Sequence, residues 1–209
     1  MAGLPRALTV APLRVVRPQD LSEVYTQPSV QLARLVRQGR VHRIAHGFYV
    51  VPPDDAPLSW EPTLEAVAAG VATAIFAQRV PVLMHLSAAR LHGALPRAIG
   101  NAFVAVPRQH APVPLLDDRS STVIFVARDV DALDSVLQPT DLGPTLVTGI
   151  EQTIVDLARR PALGGLATEA RAAAMDLWPR ADQAVLDDLA GRQRAVSPVA
   201  RLRSLVSAA

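Results

Sequence analysis

The side chains with the most chemistry to offer crowd into one stretch, Pro28 to Val51, which reads PSVQLARLVRQGRVHRIAHGFYVV. Ser29, Gln31 and Arg34 carry hydrogen-bonding groups of the kind that reach base edges in a DNA groove. Arg37, Arg40, His42, Arg43 and His46 carry donors suited mostly to phosphate oxygens. These eight are the candidate DNA-binding residues. No catalytic residue can be assigned, and no metal site is expected.

Those side chains need a scaffold, and the same stretch encodes one. Pro28 suits the first turn of a helix, where its missing N–H costs nothing. Leu32, Leu35 and Val36 recur at helical spacing and give one apolar face, which leaves Ser29, Gln31, Arg34, Arg37 and Gln38 on the others. Gly39 stops the helix, as glycine does where the chain turns left-handed. Val41, Ile44, Phe48 and Val50 read as inward-facing strand positions around an Ala45-His46-Gly47 turn, so Arg40, His42, Arg43 and His46 point outward. A helix with an arginine face beside a basic hairpin can lay the helix in the major groove and the wing on the phosphates.

The charge distribution agrees. All 21 Lys+Arg residues are arginine, and the formal net charge is +2. Arginine alone is therefore a weak signal, since a preference of the genome would produce it, but its placement is informative. Residues 1–50 hold seven arginines against Asp20 and Glu23, a local charge of +5, which leaves −3 for residues 51–209. A basic first quarter on a slightly acidic remainder fits a DNA-reading module attached to a body with another task.

The 209 residues suffice for one generous domain or two small ones. Hydrophobic residues make up 50%, while aromatics make up only 4%, so Ala, Val and Leu must fill the core. The absence of cysteine excludes disulfides and thiolate metal sites. The opening MAGLPRALTVAPLRVV is broken by Pro5, Arg6, Pro12 and Arg14 and does not read as a secretory signal. The longest largely apolar run, Ala66 to Ala77, is too short to span a bilayer. A cytoplasmic location with no membrane partner is expected.

Along the chain, Val10 to Val16 reads as a short helix or an extended lead-in. Pro18-Gln19-Asp20 opens a short helix through Tyr25, with Leu21 and Val24 buried. With the helix and hairpin above, this makes a winged helix-turn-helix over residues 1–52. Val51 to Pro62, with four prolines and no periodicity, reads as a hinge. Thr63 to Gln78 is a long helix, Val80 to Leu86 a short buried strand or turn, and Ser87 the N-cap of a helix from Ala88 to His92 ended by Gly93. Asn101 to Val106, Thr122 to Ala127 and Leu146-Val147 are strand-like, whereas Asp129 to Leu137 is ambiguous. Thr148 and Glu151 have the spacing of a capping box for a helix ending near Arg160. Helices follow at roughly 166–177, 182–190 and 198–206, the last with Ser197 as cap before Pro198. The expected class is α+β: an N-terminal winged helix-turn-helix, then a mixed α/β domain with several helices over residues 53–209.

Signatures of known chemistries are sparse. There is no GxxxxGK[ST], GxGxxG or HExxH. His42 and His46 are four apart but fall across the wing and lack evident further metal ligands. His85 and His92 flank Ser87, but no GxSxG elbow surrounds it, and capping is the better reading. Glu151 and Asp156 diverge by more than about 100° around their helix, so a structural role for both is favoured. Asp156 is expected to pair with Arg159 or Arg160. Arg192, Arg194, Arg201 and Arg203 make the C-terminal end basic. Leu202, Leu205 and Val206 give it a stripe that must bury, which favours a solvated terminal helix over a second nucleic-acid contact.

Three stretches resemble the AbiEi family of antitoxins, mycobacterial members included. LARLVRQGRVHRIAHGFYVV is similar to the family's winged-helix segment. Ser87-Ala88-Ala89-Arg90-Leu91-His92-Gly93 resembles its Ser-x-x-Ala-x-His-Gly segment, with Arg90 where a small residue is more usual. Val147 to Leu157, VTGIEQTIVDL, resembles its Thr-x-x-Glu-(Arg/Gln)-Thr-(Ile/Leu)-x-Asp segment. The resemblance implies an antitoxin that represses its own operon by DNA binding and neutralises a cognate nucleotidyltransferase-like toxin encoded alongside. It leaves two alternatives. One is an atypical serine protein kinase that phosphorylates the toxin and would need ATP with Mg; otherwise no cofactor is expected. The other is a winged-helix transcriptional regulator with an effector domain.

Overall fold

The computed structural model describes residues 4–57, 59–117 and 120–208. Among them, eight α-helices and two sheets make a mixed α+β fold. The first sheet belongs to the N-terminal unit. There α1 (Arg6–Thr9) leads through a 3₁₀ turn, Pro12–Arg14, into β1 (Val15–Val16). A second 3₁₀ turn, Pro18–Leu21, precedes α2 (Pro28–Arg37), and β2 (His42–Ala45) and β3 (Phe48–Val50) form a hairpin. β3 lies in the middle, antiparallel to both β1 and β2.

Several expectations are corrected here. The helix expected through Tyr25 is a single 3₁₀ turn, too short to carry a buried face onward; Leu21 is buried but Val24 is 43% exposed. Ala45 pairs with Phe48, so the hairpin turn is His46-Gly47 alone, with Gly47 at φ +79. A bulge between Arg43 and Ala45 shifts the register, and the inward positions divide between two faces. Val41 packs with Val16, Tyr49, Val51 and the inner face of α2. Ile44, Ala45 and Val50 turn the other way, towards α3 (Leu64–Phe76) and the large sheet.

The segment after Val51 is also held at its start. Val51 N–H donates to the Arg14 carbonyl at 2.9 Å, and Arg14 Nη1 donates to the Pro52 carbonyl at 3.1 Å. The Thr63 hydroxyl accepts from Ala66 N–H at the start of α3 and donates to Asp141 at 2.7 Å. Every residue from Glu65 to Thr73 is buried, as befits a helix that is apolar nearly all round.

The large sheet contains β4 (Val82–Leu83), β5 (Asn101–Val106), β6 (Val113–Pro114), β7 (Thr122–Ala127), β8 (Ser135–Gln138) and β9 (Thr145–Thr148). Its spatial order is β6-β7-β5-β4-β9-β8. The β5–β7 and β4–β9 pairs are parallel and the rest antiparallel. Side chains alternate along β5: Phe103 and Ala105 face one core, Ala102, Val104 and Val106 the other. The first core is covered by α4 (His85–Leu91), α5 (Ile150–Arg159), α6 (Ala167–Leu177), α7 (Gln183–Arg192) and α8 (Val196–Ser207). The second is covered by α3 and the small sheet.

At three helix starts the structure departs from what the local sequence signals predict. Ser87 is not a cap, because α4 begins two residues earlier; it is buried, and its Oγ accepts from Phe103 N–H at 2.9 Å. The Thr148–Glu151 capping box does not form, because Gly149 is the N-cap. A Cβ there would lie 2.7 Å from Asp134 Oδ2, so a larger residue would have to push that exposed carboxylate aside. Thr148 instead bonds Thr153 Oγ1 at 2.7 Å, and Glu151 accepts from Asp182 N–H, at the start of α7, at 2.8 Å. Finally, α8 starts at Val196, after Ala195, rather than at Pro198.

Candidate functional site

The outward face of α2 and the β2–β3 hairpin is built on one core. Leu32 and Leu35 of α2 pack with Val41 and Tyr49 of the hairpin segment, so the two elements are held together. The exit from α2 is fixed by main-chain bonds: Arg40 N–H reaches the Leu35 carbonyl at 3.0 Å and Gly39 N–H the Val36 carbonyl at 2.9 Å. With Gly39 at φ +67, this is a Schellman turn, which sends the chain directly into the hairpin.

On this scaffold Ser29, Arg34, Arg37, Arg43 and His46 are exposed, and Gln31, Arg40 and His42 are half-buried. None of Arg34, Arg37, Arg40 and Arg43 is in an ion pair among the described residues. By contrast, Arg17 is paired with Asp20 at 2.9 Å. Across the hairpin turn, Arg43 Nη2 lies 3.0 Å from His46 Nδ1, so the guanidinium donates to the ring and is held at the tip. The His42 ring meets Trp60 edge-on at 6.0 Å, so these two histidines lean on different partners. Val30, 56% exposed in the first turns of α2, belongs to the same face. Neither it nor Trp60 was singled out, since an apolar residue on a helix and an aromatic in a proline-rich segment carry no specific pattern.

A second polar constellation lies inside the larger body. Contrary to the expected pairing with Arg159 or Arg160, Asp156 pairs with Arg128, whose Nη1 donates to Asp156 Oδ1 at 2.9 Å. Gln152 donates to the same oxygen at 3.1 Å, and Gln193 accepts from both Arg128 and Gln152. The Asp156 carboxyl is raised above its ordinary range by burial, an effect that Arg128 partly offsets. The arrangement fastens α5 to the end of β7 and to the turn after α7. Nothing local to Asp156 in sequence could have named Arg128, which lies 28 residues earlier.

The two histidines near Ser87 are structural ties. His85 is fully buried, with Nε2–H donating to the Arg160 carbonyl at 3.1 Å, and burial pushes its pKa down to about 4. His92 Nε2–H donates to the Thr148 carbonyl at 2.8 Å. That bond joins the Ser87–Gly93 segment to the Thr148–Asp156 segment in space. Arg90 pairs with the buried Glu65 at 2.7 Å. At the C-terminal end, Arg192 pairs with Asp188 and Arg203 with Asp187, both at 2.6 Å, so half of that basic cluster is locally neutralised.

The sequence model of the AbiEi antitoxin C-terminal domain matches residues 80–208, well over half of the chain. The chain belongs to the AbiEi antitoxin family. The resemblance read from the Ser87–Gly93 and Val147–Leu157 segments therefore stands, and both lie within the matched span of this AbiEi protein. The α2–hairpin unit lies outside that span. The fold is similar to the crystal structure of the RV2827C protein from Mycobacterium tuberculosis, with a TM-score of 0.55 and 22% identity. That likeness covers 92% of this chain and 75% of that one, and it concerns the fold alone. No curated protein matches the chain. No helix among the described residues is long and apolar enough to cross a membrane.

Proposed function

We propose that this AbiEi antitoxin neutralises a nucleotidyltransferase-like toxin encoded beside it and represses their shared operon. In this reading residues 1–52 act as a winged helix-turn-helix, with α2 in the major groove and the β2–β3 hairpin as the wing. Ser29, Gln31 and Arg34 read bases, while Arg37, Arg40, His42, Arg43 and His46 hold phosphates. The observation that carries the DNA half is the set of solvent-facing arginines, Arg34 and Arg37 on one helix and Arg43 on one hairpin, none in an ion pair among the described residues. Cations left uncompensated on a preformed surface are suited to phosphates, because contact there releases counterions. Membership of an antitoxin family carries the other half, since an antitoxin needs a toxin to act on.

The test of the DNA half is a mobility-shift titration of the full chain on the DNA upstream of its own gene and on a random duplex. Arg34→Ala should cost roughly 1–3 kcal/mol on the upstream DNA and less on the random duplex. Equal loss on both would remove Arg34 from base reading. Wild-type protein with no preference for the upstream DNA would overturn the repressor role. For the toxin half, co-expression with the neighbouring gene product should rescue growth.

A further inference from the structure

The large sheet ends at β8, and the outer edge of that strand is bare. Among the described residues β8 pairs only with β9, matching Val136 to Val147 and Leu137 to Leu146. One bond sets the phase of the ladder: Gly149 N–H donates to the Asp134 carbonyl at 3.0 Å. Hydrogen-bonded positions alternate along an antiparallel pair. Asp134, Val136 and Gln138 therefore bond inward to β9, and Ser135 and Leu137 turn their N–H and C=O groups outward. No other main-chain group among the described residues meets them.

The side chains are equally uncovered. Val136 is 46% exposed and Leu137 50% exposed, and they stand on opposite faces of the sheet. Natural edges are usually blunted by proline, charge, a bulge or brevity. The opposite edge, β6, is two residues long and contains Pro114. β8 has four residues, an unbroken register and no charged side chain.

The charge around this edge selects its occupant. Asp134 directly precedes β8 and Asp141 lies three residues beyond it, both exposed, and no arginine falls between residues 129 and 150; Asp141 already accepts from Thr63. Two copies pairing antiparallel along this edge would set the Asp134 end of one strand beside the Asp141 end of the other, where like charges repel. A basic strand of another chain meets the opposite situation. We propose that β8 accepts an extended, arginine- or lysine-bearing segment of the toxin as a seventh strand, with main-chain bonds at Ser135 and Leu137 and apolar contacts on both faces. This rests on the antitoxin reading and gives it a contact surface.

The test uses the full chain with the neighbouring gene product. Leu137→Pro removes an outward N–H but no ladder bond, so the sheet is retained. Leu137→Arg leaves the backbone intact and places a cation where a basic strand must dock. Each should weaken the complex by about tenfold or more without lowering the Tm of the free antitoxin. In the wild-type complex, amide exchange should slow at Ser135 and Leu137 on toxin binding. A complex of unchanged affinity with Leu137→Arg, or unchanged exchange at both amides, would overturn the edge assignment while leaving the antitoxin reading in place. Loss of self-association by Leu137→Arg would assign the edge to a second copy and overturn it too. Failure of the wild-type chain to bind the neighbouring protein would overturn both.

Discussion

Arg128 and Asp156 meet at 2.9 Å with the carboxylate side chain fully buried and the guanidinium 20% exposed. The pair ties the end of β7 to α5, and it stands only as a pair. Removing Arg128 leaves a carboxylate in a low-dielectric site with one oxygen, Oδ2, already without a partner. Arg128→Ala should therefore destabilise the fold by about 3–5 kcal/mol. Arg128→Met combined with Asp156→Leu should cost less than Arg128→Ala alone. Urea unfolding of the three variants checks this, and a single-variant loss under about 1 kcal/mol would show the pair to be screened by solvent.

His85 should make the fold acid-sensitive. Its pKa in the folded chain is about 4, against an ordinary value near 6.5, because the buried ring resists charging. The neutral ring is what the fold holds. The associated stability is thus fully present above about pH 6.5 and is lost as pH falls towards 4, a change of roughly 3 kcal/mol at most. His85→Gln keeps a donor for the Arg160 carbonyl but does not titrate, so its unfolding free energy should vary less between pH 7 and pH 4.5. Asp156 acts in the opposite sense. Its carboxyl is raised, so it favours the fold below the ordinary aspartate range and loses that contribution as pH rises through the folded value. Asp156→Asn should therefore steepen the acid limb that His85 sets.

The parts legible in the sequence were those with a long period or a backbone signal. α2 was readable from Pro28, its Leu32 and Leu35 face and Gly39, and β5 and β7 from short apolar runs rich in Val, Ile and Phe. Helix starts were less legible. A Thr or Ser three residues before a polar side chain fits a capping box, but tertiary contacts decide where the hydroxyl goes. Thr148 chose Thr153, and Glu151 reached across to α7. The candidate face was legible as a set of residue types, and all eight side chains are exposed or half-buried. The partners of those side chains were not, because Trp60 comes to His42 from the segment after β3 and His46 meets Arg43 only across the hairpin turn. Arg128 with Asp156, and His92 with Thr148, are contacts between distant segments that no local pattern encodes.

Gly70 in α3 should be replaceable only at a cost. By helix propensity alone, Gly70→Ala would stabilise by about 1 kcal/mol. A Cβ at that position is driven into Cγ2 of Val15, in the first strand of the small sheet. Packing should win, and Gly70→Ala should destabilise by roughly 1–3 kcal/mol in thermal unfolding. Adding Val15→Ala should recover part of the loss. If Gly70→Ala raises Tm, the N-terminal sheet is not seated on α3 as described.

Arg43 at the hairpin tip should behave differently from Arg34 on the helix. It is held by His46 beyond the end of α2, where, in the proposed DNA complex, a wing would meet the sugar–phosphate backbone rather than base edges. Arg43→Ala should weaken binding to upstream and random DNA alike. It should also reduce the slope of log affinity against log salt by about 1, the share of one phosphate contact. Titrations at several salt concentrations measure that slope directly. A slope unchanged from wild type, with weaker binding confined to the upstream DNA, would move Arg43 from the phosphates to the bases and require the hairpin to enter a groove.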